Sequence, residues 1–90
     1  MELHERPRRV DDVVWRDGED GVVVLNPNDG QYFSLDDVGG RIWALSDGTR
    51  SVSEIAELLS AEYDAPPADI RSDALELLTE LDREGLVRAQ

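Results

Sequence analysis

Ninety residues are enough for one domain with a core of modest size, and the chain is 40% hydrophobic and 33% charged, as an ordinary globular protein is. Its 21 acidic residues face nine arginines and no lysine, leaving a net charge of −12, a balance that repels phosphate backbones and anionic membranes. No cysteine is present, so disulfides and thiolate metal sites are excluded. No apolar run nears the roughly 18 residues of a membrane span, and no apolar block opens the chain as a signal peptide would; a cytoplasmic protein is expected.

Residues 1–10 mix charges of both signs with Pro7 and show no hydrophobic period, which predicts a flexible, frayed N-terminal tail. Val13-Val14-Trp15 is β-branched and aromatic and reads as a first strand. Asp17-Gly18-Glu19-Asp20-Gly21 is turn chemistry, with glycines available for positive φ. Val22-Val23-Val24-Leu25 is apolar enough for a central strand. A second turn, Asn26-Pro27-Asn28-Asp29-Gly30, leads to a third strand, Gln31-Tyr32-Phe33-Ser34-Leu35. Two short connections imply two hairpins and an antiparallel meander.

The two outer strands of a meander are both edges, and here they differ. Asp11, Asp12, Arg16 and Asp17 guard the first, whereas residues 31–35 carry neither charge nor proline. An edge of that kind is a template for another strand. The competing reading is that a helix or the N-terminal stretch covers it.

Asp36 or Ser34 can cap a first helix that carries Val38, Ile42, Trp43 and Leu45 and ends near Asp47-Gly48. Gly39-Gly40 within it costs about 1 kcal/mol per glycine relative to alanine. Close packing of the helix on the sheet is the plain explanation, and nothing around these glycines forms a phosphate loop. Ser51 and Glu54 make a capping box for a second helix with Val52, Ile55, Ala56, Leu58 and Leu59 on one face. Asp64-Ala65-Pro66-Pro67 breaks it, and Pro66 or Pro67 suits the first turn of a third helix. There Ile70, Ala74, Leu77, Leu78 and Leu81 fall on one stripe, flanked by Asp69, Asp73, Glu76, Glu80 and Glu84, before Gly85 closes the helix.

The expected fold class is therefore α+β: a three-stranded antiparallel meander followed by three helices, winged helix-turn-helix-like. DNA binding is disfavoured, because a recognition helix with Asp69, Asp73, Glu76, Glu80, Asp82 and Glu84 against Arg71 and Arg83 has the wrong charge. Catalysis is disfavoured too. His4 is the only histidine, and nothing pairs a nucleophile with a base. No cofactor or metal is expected.

Several segments together, in their order and spacing, resemble the PqqD-like family. These are Gln31 through Gly39, Ile42-Trp43, Asp47-Gly48-Thr49, Ile55-Ala56-Glu57-Leu58-Leu59, Asp73 before Leu81, and Gly85-Leu86-Val87. The resemblance covers roughly residues 12 to 88, within a recognition domain spanning 11–90. It implies a recognition element (RRE) for the precursors of ribosomally synthesised, modified peptides (RiPPs). Such a protein binds a leader peptide as an added strand, in the cleft between the third strand and the third helix. The implied leader-binding residues are Gln31, Tyr32, Phe33, Ser34 and Leu35 on the strand, with Asp69, Ile70, Asp73, Ala74 and Leu77 on the helix. Which strand face meets the peptide is left open, and Ile70 and Leu77 read equally well as core. A separate chain of this kind is similar to the recognition protein of lasso-peptide pathways. That likeness implies a leader of the Tyr-x-x-Pro-x-Leu type and a companion leader-cleaving cysteine protease, with the ATP-dependent cyclase as a further partner. The alternative is a peptide chaperone of PqqD type serving a radical SAM enzyme.

Overall fold

The computed structural model describes residues 1–90. Its elements are β1 (Pro7–Arg9), β2 (Val14–Asp17), β3 (Val22–Leu25), β4 (Tyr32–Leu35), α1 (Asp37–Leu45), α2 (Val52–Tyr63), α3 (Pro67–Arg83) and β5 (Val87–Ala89). One antiparallel sheet has the order β2-β3-β4, and a second pairs β1 with β5. The expected α+β fold, a meander followed by three helices, is the fold observed.

Pairing rows run Val14–Leu25–Tyr32 and Trp15–Val24–Phe33 across the meander. Because side chains alternate along a strand, Trp15, Val24 and Phe33 share the face toward the helices. β2 lies further along the chain than expected and includes Arg16 and Asp17, so the charges read as flanking the first strand are inside it. The β2–β3 turn places Gly21 at φ +153°, where a β-carbon would stand 1.8 Å from the Leu35 carbonyl oxygen. Only glycine lets that turn approach the end of β4. In the β3–β4 turn, buried Asn26 donates its side-chain amide to the Glu84 carbonyl at 3.2 Å and accepts from the Asn28 amide at 3.0 Å.

The helix starts follow the sequence signals. Asp36 accepts from the Gly39 amide at 2.7 Å and caps α1. Ser51 and Glu54 form the reciprocal capping box of α2, and Pro67 is the first residue of α3. At the end of α3 the amides of Gly85 and Leu86 bond back to the carbonyls of Asp82 and Leu81, a Schellman closure that needs Gly85 at φ +78°. The core is built from Val22 and Val24 of β3, from all three helices, and from Leu86 and Val87, with Trp43 fully buried in it.

The expected frayed tail is instead tied down along its length. Pro7–Arg9 pairs with Val87–Ala89, and Pro7 is buried. The carbonyls of Glu5 and Leu3 accept from the Val52 and Ser53 amides at 2.9 and 3.0 Å. Those are first-turn donors of α2, which no intrahelical acceptor can satisfy. Arg9 donates to the Trp43 and Ala44 carbonyls at 2.8 and 2.7 Å, at the C-terminal end of α1, and its guanidinium lies 5.6 Å from the Trp15 ring centroid. Charge and proline hid these contacts from a reading by hydrophobic period. The segment is held by backbone bonds and arginine, not by an apolar stripe.

Candidate functional site

β4 has β3 on one side and no strand on the other. The Asn26 amide donates to the Gln31 carbonyl at 2.8 Å, so Asn26 and Gln31 face each other in hydrogen-bonded register. Antiparallel pairs alternate. Phe33 and Leu35 therefore bond to β3, and the N–H and C=O groups of Tyr32 and Ser34 point to the free edge. The N-terminal stretch is engaged at β5 and α2, so it does not cover this edge.

Between the edge and α3 lies a groove of about 480 Å³, lined by residues of β4, α1 and α3. Its apolar floor is Leu35, Val38, Ile42 and Leu77. Gly39 belongs to the same floor, and a β-carbon there would sit 3.4 Å from Leu35 Cβ and 3.5 Å from Leu77 Cδ2. The adjacent Gly40 serves the sheet, since its β-carbon would stand 2.9 Å from Val22 Cγ2. The glycine pair thus does two jobs: Gly40 lets α1 onto the sheet, and Gly39 keeps the groove open.

The groove walls are acidic. Asp36, Asp73, Glu76 and Glu80 line it and no arginine does. Arg41 on α1 is held in a two-point ion pair with Glu62, both contacts at 2.9 Å. That pairing lowers the Glu62 carboxyl and raises the Arg41 guanidinium relative to their ordinary values. Burial is the main cause that pushes the Tyr63 phenol up, and the Asp37 carboxylate adds to it.

The expected site residues separate into four groups. Ser34, Leu35, Asp73 and Leu77 line the groove together. Tyr32 is 71% exposed and Phe33 packs against the core, on opposite faces of the strand. Gln31 precedes β4, with its amide bonded to the Asp29 carboxylate at 3.0 Å, and Asp69 is exposed on the first turn of α3. Ile70 and Ala74, by contrast, do not line the groove. They are 5% and 0% exposed, in the core with Leu78 and Leu81. Ala74 therefore leaves no room for a peptide side chain; its small size admits neighbouring core elements. The groove stripe on α3 is Asp73, Glu76, Leu77 and Glu80, one position round from the buried one. The α1 contribution of Val38, Gly39 and Ile42 was not anticipated, although the paired glycines were its signal.

Fold and groove together define a winged-helix-like α+β domain with an uncharged open sheet edge beside an apolar-floored groove. Solved structures share this arrangement. TbiB1 in complex with the TbiA(beta) leader peptide aligns with a TM-score of 0.78 at 33% identity, covering 90% of this chain and 94% of that one. The PqqD truncation of Methylobacterium extorquens PqqCD, described as a functional, stand-alone RiPP recognition element, aligns at 0.76 and 36% identity, covering 91% and 87%. A PqqA binding protein of Xanthomonas oryzae pv. oryzae (strain PXO99A) is 39% identical over 66 residues, 73% of this chain and 70% of that protein. Residues 21–87 match the family model for coenzyme PQQ synthesis protein D (PqqD). The chain belongs to the PqqD family.

Proposed function

We propose that this protein is a non-catalytic capture module for the leader segment of a ribosomal precursor peptide. The leader adds as a strand to β4, lies in the groove against α3, and is delivered to a leader peptidase and modifying enzymes of a lasso-peptide pathway. The observation that carries this reading is the free edge of β4 beside an apolar-floored groove, in a chain 33% identical to a protein solved with a leader peptide. Backbone pairing at Tyr32 and Ser34 supplies affinity with little sequence information, and the groove supplies selection. Each apolar anchor buried there contributes about 1.5–3 kcal/mol. Two or three anchors, less the cost of ordering the leader, give roughly micromolar to nanomolar binding.

A second reading has its own support, since the curated relatives at 38–39% identity are PqqA binding proteins. In that case the binding mode is the same and the client is a redox-cofactor precursor handled by a radical enzyme.

Fluorescence anisotropy of a labelled leader containing Tyr-x-x-Pro-x-Leu, beside a PqqA peptide, a scrambled peptide and duplex DNA, tests both. Tight binding of the first alone supports the lasso assignment, and preference for PqqA moves the client to the second reading. Binding of neither peptide overturns leader capture. Asp73→Lys should weaken leader binding much more than Glu57→Lys on the exposed face of α2; equal losses would remove the peptide from this groove.

A further inference from the structure

The groove has a charge pattern as well as a shape, and the pattern specifies the peptide more closely than strand addition does. Along α3, Leu77 is bracketed by Asp73 on one side and Glu80 on the other, with Glu76 beside it. At about 1.5 Å rise per residue, the outer two carboxylates stand roughly 10 Å apart along the helix. An extended peptide repeats its side chains on one face every ~6.7 Å. For a strand that runs along α3, an apolar side chain over Leu77 therefore places its neighbours two residues away, in either direction, within reach of one carboxylate each. Long cationic side chains span the small mismatch. The bracket is nearly symmetric, so it serves either strand direction.

These carboxylates are uncommitted to any arginine of the chain. The four ion pairs of the structure use Glu2, Asp11, Glu62 and Asp47, and none uses Asp36, Asp73, Glu76 or Glu80. Asp36 is occupied in capping α1. Asp73 and Glu76, and Glu76 and Glu80, stand at helical spacings where like charges repel, and a cation in the groove would relieve that repulsion; Arg83 and the N-terminal ammonium lie on the neighbouring face of α3, outside the groove.

We infer that the groove selects extended peptides in which a bulky apolar residue is flanked, two positions away on each side, by arginine or lysine. This rests on the strand-addition reading and narrows it from any leader to a basic-x-apolar-x-basic one. The alternation of a strand turns the intervening residues away from α3, so position matters and total charge alone does not suffice.

Four labelled heptapeptides test it by anisotropy: Thr-Arg-Val-Leu-Val-Arg-Thr, the same with glutamine for both arginines, the same with glutamate, and Thr-Val-Arg-Leu-Arg-Val-Thr. The first should bind roughly three- to tenfold more tightly than the glutamine peptide at low salt, the scale of two partly exposed ion pairs. The glutamate peptide should be weakest. The fourth carries the same charge on the wrong face and should fall near the glutamine peptide. Raising the salt from about 20 mM to about 500 mM should close the gap. In the double variant Asp73→Arg/Glu80→Arg, checked for fold by circular dichroism, the preference should invert toward the glutamate peptide. Equal binding of the arginine and glutamine peptides overturns the inference while leaving strand addition intact. Equal binding of the first and fourth overturns it in favour of unspecific attraction to an acidic protein. Binding of none overturns it, and strand addition then stands or falls on the Tyr-x-x-Pro-x-Leu leader and its edge-proline variants.

Discussion

Two regions of this molecule handle strand edges in opposite ways. At the terminal end, β1 and β5 close on each other, and the residues before β1 supply acceptors to the first turn of α2. The outer side of β1 is bonded as well, through Arg9 N–H to the Ser46 carbonyl and Gly48 N–H to the Pro7 carbonyl. At the other end, β4 leaves the N–H and C=O groups of Tyr32 and Ser34 without a strand partner, beside a groove whose floor is apolar. The comparison teaches that the open edges of this small fold are not equivalent. The chain closes β1 on β5 and leaves β2 and β4 as outer strands of the meander; β2 carries Arg16 and Asp17, whereas β4 is uncharged and adjoins a space that a glycine, Gly39, keeps clear.

Removing the seal should have the largest effect. Deleting residues 1–9 strips Pro7 from its buried place, unpairs β5 and exposes two α2 donors. The expected loss is about 3–5 kcal/mol, much of the stability of a small domain, with Tm lower by roughly 15 °C or more. A truncated protein melting within a few degrees of the full chain would make the terminal pairing dispensable.

Proline at the open edge should act on binding and spare the fold. Ser34→Pro or Tyr32→Pro removes an N–H that faces away from β3, and each should abolish capture of the leader peptide with a Tm change of only a few degrees. Phe33→Pro removes a ladder donor to β3 and should destabilise the domain itself. Normal peptide binding by both edge variants would end the strand-addition reading.

Gly21→Ala lies between the two regions in effect. The added methyl meets the Leu35 carbonyl oxygen and must pull β4 from its register, so a loss of about 2 kcal/mol is expected. That corresponds to a Tm lower by roughly 10 °C, together with weaker peptide binding.

The smallest effect concerns pH. Asp47, Glu54 and Glu62 are each held below the usual carboxylate range: Asp47 and Glu54 by hydrogen bonds to Thr49 and Ser51, and Glu62 by its bond to Arg41. Depressed carboxyls contribute stability at neutral pH, above their unfolded values, and lose it as pH falls through the folded ones. Glu54→Gln keeps a capping side chain without the charge, so its Tm should decline less steeply than the wild type's below about pH 5. Parallel declines would remove the capping box from the acid response.

Much of this contrast could be read from the sequence, and the part that could not has a common cause. The central strand, the caps at Asp36 and Ser51, the helix start at Pro67, and the unguarded run after Gly30 are local signals, and the structure follows them. Pairing of Pro7–Arg9 with Val87–Ala89 joins segments about as far apart as the chain allows, each too short to show a period. On α3 the 3.6-residue repeat marked Ile70, Ala74, Leu77, Leu78 and Leu81 as one stripe, from which Leu77 departs to line the groove. It did not say that the opening lay one position round, at Asp73, Glu76, Leu77 and Glu80. That offset depends on where α1 packs, which Gly40 against Val22 decides.

The closure of β1 on β5 also governs how this domain can be joined to others. Arg6 and Gln90 exchange both backbone hydrogen bonds, at 3.2 and 2.8 Å, so Gln90 lies beside the start of β1. A partner domain fused after Gln90 would therefore be tethered at this closed pair of strands. Neither β1 nor β5 supplies a residue to the groove, which would stay free to recruit a peptide at the high effective concentration that covalent tethering provides.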